Sequence, residues 1–328
     1  MHFHPDEDHA AYVDTVRRLL ADAAPLKAAR AWAAGEHGPG RELWRALAGT
    51  GLVALAVPEE QEGGLGFRTP ELASAYVELG RAGVPGPVAE TAAVAAGLGA
   101  AGAPGPWLTP TLAGDAMLTV TDPAGDGHAL DAHCTDAAFF LSGDVLQLAV
   151  PEGEPRPSLD PVRHLVRCAP VEPVPADTGR LYALAVLLTA AQALGAGRAL
   201  LEGSTEHAAQ RTQFGRPIGS FQAVKHQLAT VAVALEFAEP LLYGAAAGLA
   251  ADEPGGGAAA RDLPAAKAAC CDAAYLAART ALQVHGALGY TDEYDLTLHL
   301  RKARALRNAW GSPAACRAAV LAAGEETV

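Results

Sequence analysis

The stretch QRTQFGRPIGSFQ at residues 210–222 interrupts a long run rich in alanine and leucine that would otherwise continue as helix. It brings together two arginines, Arg211 and Arg216, with glutamine amides and two phenylalanine rings. Guanidinium groups suit phosphate oxygens, and flat apolar rings suit an aromatic ligand. The stretch therefore suits a phosphorylated, ring-bearing cofactor, although an ordinary helix-connecting loop with solvated arginines explains the spacing equally well.

Apolar residues recur at helical spacing on both sides of this loop and continue almost to the C-terminus. The pattern predicts four long helices, at residues 178–210, 219–251, 258–286 and 292–323. Short connections between long helices favour an up-and-down bundle. Pro240 is expected to kink or break the second of these helices.

The chain upstream of the bundle has a different character in each of two parts. Residues 1–112 show helical periodicity, interrupted by a Pro/Gly-rich loop at 52–67. Residues 113–175 hold short apolar runs separated by Gly, Asp and Pro, which is typical of strands. The predicted fold is therefore mainly α, with an N-terminal helical domain, a reduced middle β domain and a C-terminal four-helix bundle at 176–328.

Composition narrows the classes of function. The formal net charge of −13 repels phosphate backbones, so a nucleic acid is not an expected partner. The most hydrophobic run, at 181–197, is shorter than the roughly 20 apolar residues of a membrane span. That run also contains Thr189 and Gln192. We therefore expect a buried bundle helix there, and no membrane partner.

Cysteine and histidine placement adds further exclusions. The five cysteines form no CxxC pair, so neither a zinc knuckle nor a disulfide framework is expected. Together with an acidic N-terminus that lacks the layout of a secretion signal, this predicts a cytoplasmic protein. His207, His226 and His299 are expected at helix surfaces or interfaces, and no metal site is predicted.

A second unusual stretch, LQVHGALGYTDEYD, lies at residues 282–295. Gln283, Gly286 and Gly289 stand three residues apart where a helix is expected to end. Glycines at such a place expose backbone N–H groups and let another molecule approach closely. A helix-capping glycine followed by a turn explains one of them, but it leaves Gln283 and His285 unaccounted for.

These stretches together resemble the acyl-CoA dehydrogenase family. LVALAVPEEQEGGLGF at 52–67 is similar to the family's N-terminal loop, RTQFGRPIGSFQAVKHQLA at 211–229 to its R-x-x-F-G motif, and QVHGALGYTDEYD at 283–295 to its Q-x-h-G-G-x-G motif. Ala287 replaces the second glycine of that last motif. The resemblance implies the family's fold and an FAD cofactor held across a subunit interface.

The resemblance also assigns cofactor contacts to individual residues. A neighbouring subunit would hold most of the FAD. The resemblance implies that this chain contacts the pyrophosphate and adenosine half of that FAD through Arg211, Gln213, Phe214 and Gln222. Further contacts are implied for Gln283, Gly286 and Ala287.

Family members remove a proton from the α-carbon of an acyl-CoA thioester with a glutamate, while hydride passes from the β-carbon to the flavin. The resemblance places that glutamate at Trp310, or, in a minority of members, at Gly179. Neither residue can accept a proton. In full-length members, a T-E-P-x-x-G-S-D segment and a tryptophan strand of the β domain hold the flavin ring. In this chain only TVTDPAGDG at 119–127 is weakly similar to that segment, and no tryptophan lies between Trp107 and Trp310.

These departures resemble the short subunit of the heterotetrameric (α2β2) acyl-CoA dehydrogenases of actinobacteria. That resemblance implies a full-length acyl-CoA dehydrogenase subunit as partner, an acyl-CoA substrate that includes steroid side-chain thioesters, and an electron-transfer acceptor. Two alternatives stay open. One is a self-sufficient homomeric enzyme whose base is Asp177, Glu206 or Glu236; the other is a non-enzymatic scaffold or acyl-CoA-binding subunit.

Overall fold

The computed structural model describes residues 6–102, 105–251 and 257–325. Helices dominate these residues, and a small β-sheet stands between two helical regions along the chain. The mainly α fold class predicted from the sequence is confirmed.

The N-terminal region contains six helices. They are α1 (Glu7–Ala23), α2 (Pro25–Ala33), α3 (Gly38–Ala48), α4 (Thr69–Ala82), α5 (Val88–Ala100) and α6 (Leu108–Leu112). The loop between α3 and α4 is tightly folded on itself, because a Cβ at Gly64 would lie 2.0 Å from the Pro58 carbonyl oxygen. No side chain larger than hydrogen fits there without moving the backbone.

The middle region forms one five-stranded sheet. Its strands are β1 (Leu118–Val120), β2 (His128–Leu130), β3 (Ala137–Ser142), β4 (Val145–Pro157) and β5 (His164–Val174), in the order β1-β3-β4-β5-β2. An isolated bridge between Thr121 and Ala129 joins the two edge strands, so the sheet rolls into a nearly closed barrel. Small buried side chains such as Ala138 and Ala149 fill its interior, as the narrow bore of five strands requires.

The C-terminal region consists of long helices connected by short turns. They are α7 (Thr178–Gln210), α8 (Gln222–Ala251), α9 (Gly257–His285), α10 (Leu296–Leu306) and α11 (Pro313–Glu325). The single helix predicted at 292–323 is wrong, because Trp310 and Gly311 adopt φ angles of 57° and 107° and break it in two. Pro240, by contrast, lies within a continuous α8.

Helix α7 forms the centre of the structure. It packs against α4, α5, α8, α9 and α10, and most of its residues are buried. At its crossing with α4 the two backbones touch: a Cβ at Gly195 would lie 1.9 Å from the Val77 carbonyl oxygen, and one at Gly80 would lie 2.2 Å from the Gln192 carbonyl oxygen. Glycine on both helices therefore sets the distance between them.

Two helices, α7 and α8, are long and apolar enough to cross a membrane by length and composition alone. For α7, 83% of the most apolar window is buried inside the protein, which accounts for its composition as a core helix. For α8, only 28% of that window is buried, so much of its apolar surface has no partner within the described chain.

The structure buries one of the histidines that were expected at helix surfaces or interfaces. His299 lies inside the contact between α10 and the end of α4, where its Nε2 pairs with the Arg81 carbonyl oxygen at 2.9 Å. Burial lowers the pKa of His299 to about 4. His299 therefore lies at an interface between helices, one of the two placements expected for it, whereas His226 is exposed. All five cysteines are free thiols.

Replacing Gly195 with Ala should lower the free energy of unfolding by about 1 to 3 kcal/mol, because the added methyl group forces α4 and α7 apart. Gly324→Ala is the matched control, since a Cβ there meets no atom within 4 Å. Urea unfolding of the two variants checks this. An unchanged midpoint for Gly195→Ala would contradict the close contact.

The buried His299 predicts a loss of stability in acid. Its folded pKa of about 4 lies below the ordinary value of 6.5, so the unfolded chain takes up the proton first as the pH falls. Above pH 6.5 the titration of His299 does not change the free energy of unfolding. Between pH 6.5 and 4 it lowers the free energy of unfolding by about 3 kcal/mol. Denaturant unfolding at several pH values in this range should show that the free energy of unfolding falls less steeply with pH in His299→Gln than in His226→Gln. Equal slopes would rule out this origin.

Candidate functional site

The loop between α7 and α8 is a hairpin that presents an aromatic ring to solvent. Its strands are β6 (Thr212–Gln213) and β7 (Arg216–Pro217), and the turn residues Phe214 and Gly215 have φ angles of 52° and 77°. Two positive φ angles are the requirement of a type I′ turn, a conformation that is unfavourable for phenylalanine. The Phe214 side chain is 91% exposed. Strained backbone that holds a bulky apolar ring in water is characteristic of a functional segment.

The polar side chains of this hairpin differ in how far they are engaged. Arg216 lies over the Phe221 ring, with its guanidinium carbon 4.1 Å from the ring centre, and the Gln213 amide donates to the Thr212 carbonyl oxygen. Within the described residues, neither the Arg211 guanidinium nor the Gln222 amide has an intramolecular partner, and both are exposed. They are free to bind a ligand or a neighbouring chain.

The second motif ends α9. Gly286 has a φ of 58° and would place a Cβ in open space, so it acts as a helix-capping glycine and leaves the surface beside it clear. Gly289 instead packs closely, since a Cβ there would lie 2.9 Å from Leu282 Cδ1. Gln283 and Ala287 are exposed.

Gln283 and Gly286 line one open cleft of about 630 Å³ between α8 and α9. Gln227 and Arg279 contribute its polar wall, and Tyr290 contributes an aromatic one. Amides, a cation and a ring around a glycine form a donor set that suits a phosphorylated nucleotide.

A stack of two imidazole rings connects the two motifs. His207, in the last turn of α7, lies with its ring centre 4.3 Å from that of His285 at the end of α9. Burial lowers the pKa of both histidines, so neutral rings stack without charge repulsion. The structure thus brings the hairpin and the cleft to the same end of the bundle, with His285 buried beneath them rather than exposed to a ligand.

Trp310 is fixed in a buried position at the opposite end of α7. Its backbone N–H donates to Asp122 Oδ2 at 2.7 Å, and its indole Nε1 donates to Glu90 Oε1 at 3.2 Å. Tyr182, in the second turn of α7, packs edge-on against the indole with ring centres 6.0 Å apart. Gly179 lies three residues before Tyr182 and so on the same side of α7. The positions of Trp310 and Gly179 therefore converge on one place.

All three regions of the fold contribute to a cleft of about 410 Å³ beside Trp310. Glu90 comes from α5, Asp122 and His128 from the barrel, and Arg304 from α10. The sequence analysis did not identify Glu90 or Asp122. The signal for Glu90 was present, because it is the single charged residue of α5, an otherwise apolar helix.

The three carboxylates considered as alternative bases lie elsewhere. Asp177 caps α7, accepting from the Arg180 backbone N–H at 2.9 Å. Glu206 is exposed and accepts from Gln210, and Glu236 is exposed on α8. None of the three lines the cleft beside Trp310.

Comparison with known proteins matches both helical regions. Residues 6–104 match the family model of the acyl-CoA dehydrogenase N-terminal domain, and residues 184–323 match that of the C-terminal domain. The chain is 32% identical to acyl-CoA dehydrogenase IpdE2 of Mycobacterium tuberculosis, over 94% of this chain and 95% of that protein.

Solved structures share the whole fold. The Tcur3481-Tcur3483 steroid ACAD G363A variant superposes with a TM-score of 0.83 at 21% identity, over 98% of both chains. The ChsE4-ChsE5 complex from Mycobacterium tuberculosis gives 0.82 at 23% identity, over 100% of this chain and 99% of that one. A glutaryl-CoA dehydrogenase from Mycobacterium smegmatis in complex with FADH2 gives 0.79 at 17%, over 99% and 95%.

The bond between Trp310 and Glu90 should be measurable as an energetic coupling. Trp310→Phe keeps a ring but removes the N–H donor. It should lower the free energy of unfolding by about 1 to 3 kcal/mol, because a buried carboxylate loses its partner. In Glu90→Leu/Trp310→Phe the loss should be smaller than the sum of the single losses. A double-mutant cycle of urea unfolding measures the difference, and strict additivity would argue against the bond.

Proposed function

The chain belongs to the acyl-CoA dehydrogenase family, and we propose that it is the small subunit of a two-chain, FAD-dependent enzyme that introduces an α,β double bond into an acyl-CoA thioester. In this proposal the chain has no base of its own and completes an FAD site on a full-length partner subunit. The observation that carries the proposal is the buried, hydrogen-bonded Trp310 at the family's base position.

The reaction needs a group that takes a proton from the α-carbon, and a positioned carboxylate suits this role. The Trp310 indole only donates, and Gly179 has no side chain. The two carboxylates nearest to Trp310, Glu90 and Asp122, each accept a hydrogen bond from it. Both carboxylates of this cleft are therefore engaged in hydrogen bonds to Trp310, and we propose that the cleft does not turn over substrate.

The length of α7 supports sharing of the cofactor between chains. Arg211 follows the C-terminal end of α7, whereas Tyr182, which contacts Trp310, lies near its N-terminal end. At 1.5 Å per residue these positions are roughly 44 Å apart. An extended FAD is shorter than that, so the hairpin and the Trp310 cleft of one chain cannot serve the same FAD molecule. The hairpin would serve a site whose other half belongs to another subunit.

When bound, FAD supplies the acceptor for the hydride that leaves the β-carbon. Residues of this chain would hold its nucleotide half: Arg211 through charge-assisted bonds to phosphate oxygens, Gln222 and Gln283 through their amides, and Phe214 through its exposed face. All four side chains are exposed, and within the described residues Arg211, Gln222 and Gln283 have no side-chain hydrogen-bond partner, which fits this role. The open space beside Gly286 lets a ligand approach the end of α9.

An apolar stripe on α8 supports a partner chain. Val233, Phe237 and Leu241 stand four residues apart on one side of the helix, and all three are exposed, Phe237 by 73%. Exposed apolar surface of this kind marks a protein interface. The solved ChsE4-ChsE5 complex, which shares the fold, contains two differently named chains.

For the substrate we propose a CoA thioester of a steroid side chain, because a solved steroid ACAD shares the fold over nearly its whole length. The electrons would pass from the reduced cofactor to a separate electron-transfer acceptor, and the enzyme would work in the cytoplasm. Co-expression with a full-length acyl-CoA dehydrogenase subunit that binds this chain should yield about one FAD for each pair of unlike subunits.

Arg211→Ala should weaken FAD binding to that complex by about tenfold to a hundredfold, because a hydrogen-bonded charge on the pyrophosphate is lost. The matched control is Arg167→Ala, which removes an exposed arginine of the barrel. Flavin absorbance per complex after dilution and gel filtration is the measurement. Full flavin retention in Arg211→Ala would favour the scaffold alternative.

Glu90→Gln separates the two-chain enzyme from a homomeric one. If the base belongs to the partner, the complex should keep its rate of acyl-CoA oxidation, since the amide oxygen of the introduced glutamine still accepts from the indole. A homomeric enzyme that uses Glu90 as its base would lose turnover by orders of magnitude. Steady-state dye reduction measures both cases, and turnover by the purified chain alone would refute the two-chain proposal.

A further inference from the structure

A cluster of metal-ligating side chains lies outside the two clefts described above. His37 precedes α3, and His133 and Cys134 lie in the turn between β2 and β3. One ligand atom from each of the three lies within 4.8 Å of the others. The sequence predicted no metal site because His37 is far from the other two along the chain. The fold alone brings them together.

Buried hydrogen bonds hold the β2–β3 turn in place. Asp131 is fully buried with a φ of 54°, and its carboxylate accepts from Trp32 Nε1 at 3.2 Å and from the His164 backbone N–H at 2.9 Å. The Cys134 backbone N–H donates to the Asp131 carbonyl oxygen at 3.0 Å. Arg41 Nη2, from α3, donates to the Cys134 carbonyl oxygen at 2.6 Å. The turn that carries two of the ligands is therefore rigid and already tied to α3.

The imidazole of His37 has an unmet requirement. Its Nε2 is buried and has no hydrogen-bond partner among the described residues, although its ring is fixed edge-on against Trp32 and His133. An unpaired buried nitrogen of this kind destabilises the fold unless a ligand binds to it. A neutral imidazole nitrogen without a hydrogen-bond partner keeps its lone pair for coordination.

The ligand types select the class of metal. Two imidazole nitrogens and one sulfur suit Zn²⁺ and other borderline or soft cations, whereas Mg²⁺ and Ca²⁺ prefer oxygen ligands. His164 lies next in the row of rings, and its Nδ1 lies 3.6 Å from an Asp131 carboxylate oxygen, so this nitrogen faces Asp131. Three protein ligands leave a fourth position for water.

We propose that His37, His133 and Cys134 form a Zn²⁺ site that joins the N-terminal helices to the barrel. His133 is exposed, so the ion has a path from solvent. Coordination forms bonds from the metal to two ring nitrogens and to sulfur, and the Cys134 thiol releases its proton to solvent. No change of oxidation state is involved.

The test uses the full-length chain after treatment with a chelator. Titration with Zn²⁺ in competition with a chromophoric chelator should give one ion per chain. His133→Ala and Cys134→Ser should each weaken this binding by at least about a hundredfold. The control His226→Ala removes an exposed histidine of α8 and should leave the affinity unchanged.

Two further measurements distinguish the loss of a metal ligand from the loss of folding. Circular dichroism should show the same helix content in all four proteins, because His133 is exposed and the hydroxyl introduced by Cys134→Ser can still donate to the Asp131 carbonyl oxygen as Cys134 Sγ does. Co²⁺ should produce a thiolate-to-metal charge-transfer band that Cys134→Ser abolishes. Equal affinity in the wild-type chain and His133→Ala, or an unchanged band in Cys134→Ser, would overturn the proposal.

Discussion

The contact between the backbones of α4 and α7 sets the frame for the rest of the structure. Gly80 and Gly195 allow the two helices to touch without intervening side chains, which fixes α7 in the centre of the protein. Both ends of this helix carry candidate functional features, the Trp310 cleft near its start and the hairpin at its end. Because a packed helix is stiff, the separation of these features is fixed by the length of α7. The proposed sharing of one cofactor by two chains follows from that length.

The surroundings of Trp310 resemble a specialised site more than a decayed one. The residue retains a positive φ that is unfavourable for a bulky side chain, and its two N–H groups are both satisfied by buried or half-buried carboxylates. A random loss of the base would leave unpaired acids or a void, each of which destabilises the fold. Here the indole fills the space and pairs with the acids. The cleft is therefore packed and hydrogen-bonded around Trp310.

Sequence patterns predicted the helical framework well and the connections poorly. The apolar period placed α7 at its observed bounds, because a core helix repeats its pattern over many turns. The break at Trp310 depends on bonds to Glu90 and Asp122, which lie far away in sequence and leave no local signal. The burial of His299 likewise depends on an element that is distant in sequence, since α4 covers it. Exposure of Arg211 and Gln283 agrees with the roles that the family resemblance implies, but spacing alone did not distinguish them from ordinary loop residues.

The stripe on α8 has a consequence for how the protein is produced. A lone copy in water leaves Phe237 and its neighbours exposed, and this surface favours aggregation or capture by chaperones. Supply of the two chains in equal amounts would then determine the yield of enzyme. Synthesis of both from one messenger RNA, so that each nascent chain meets its counterpart early, would meet that need.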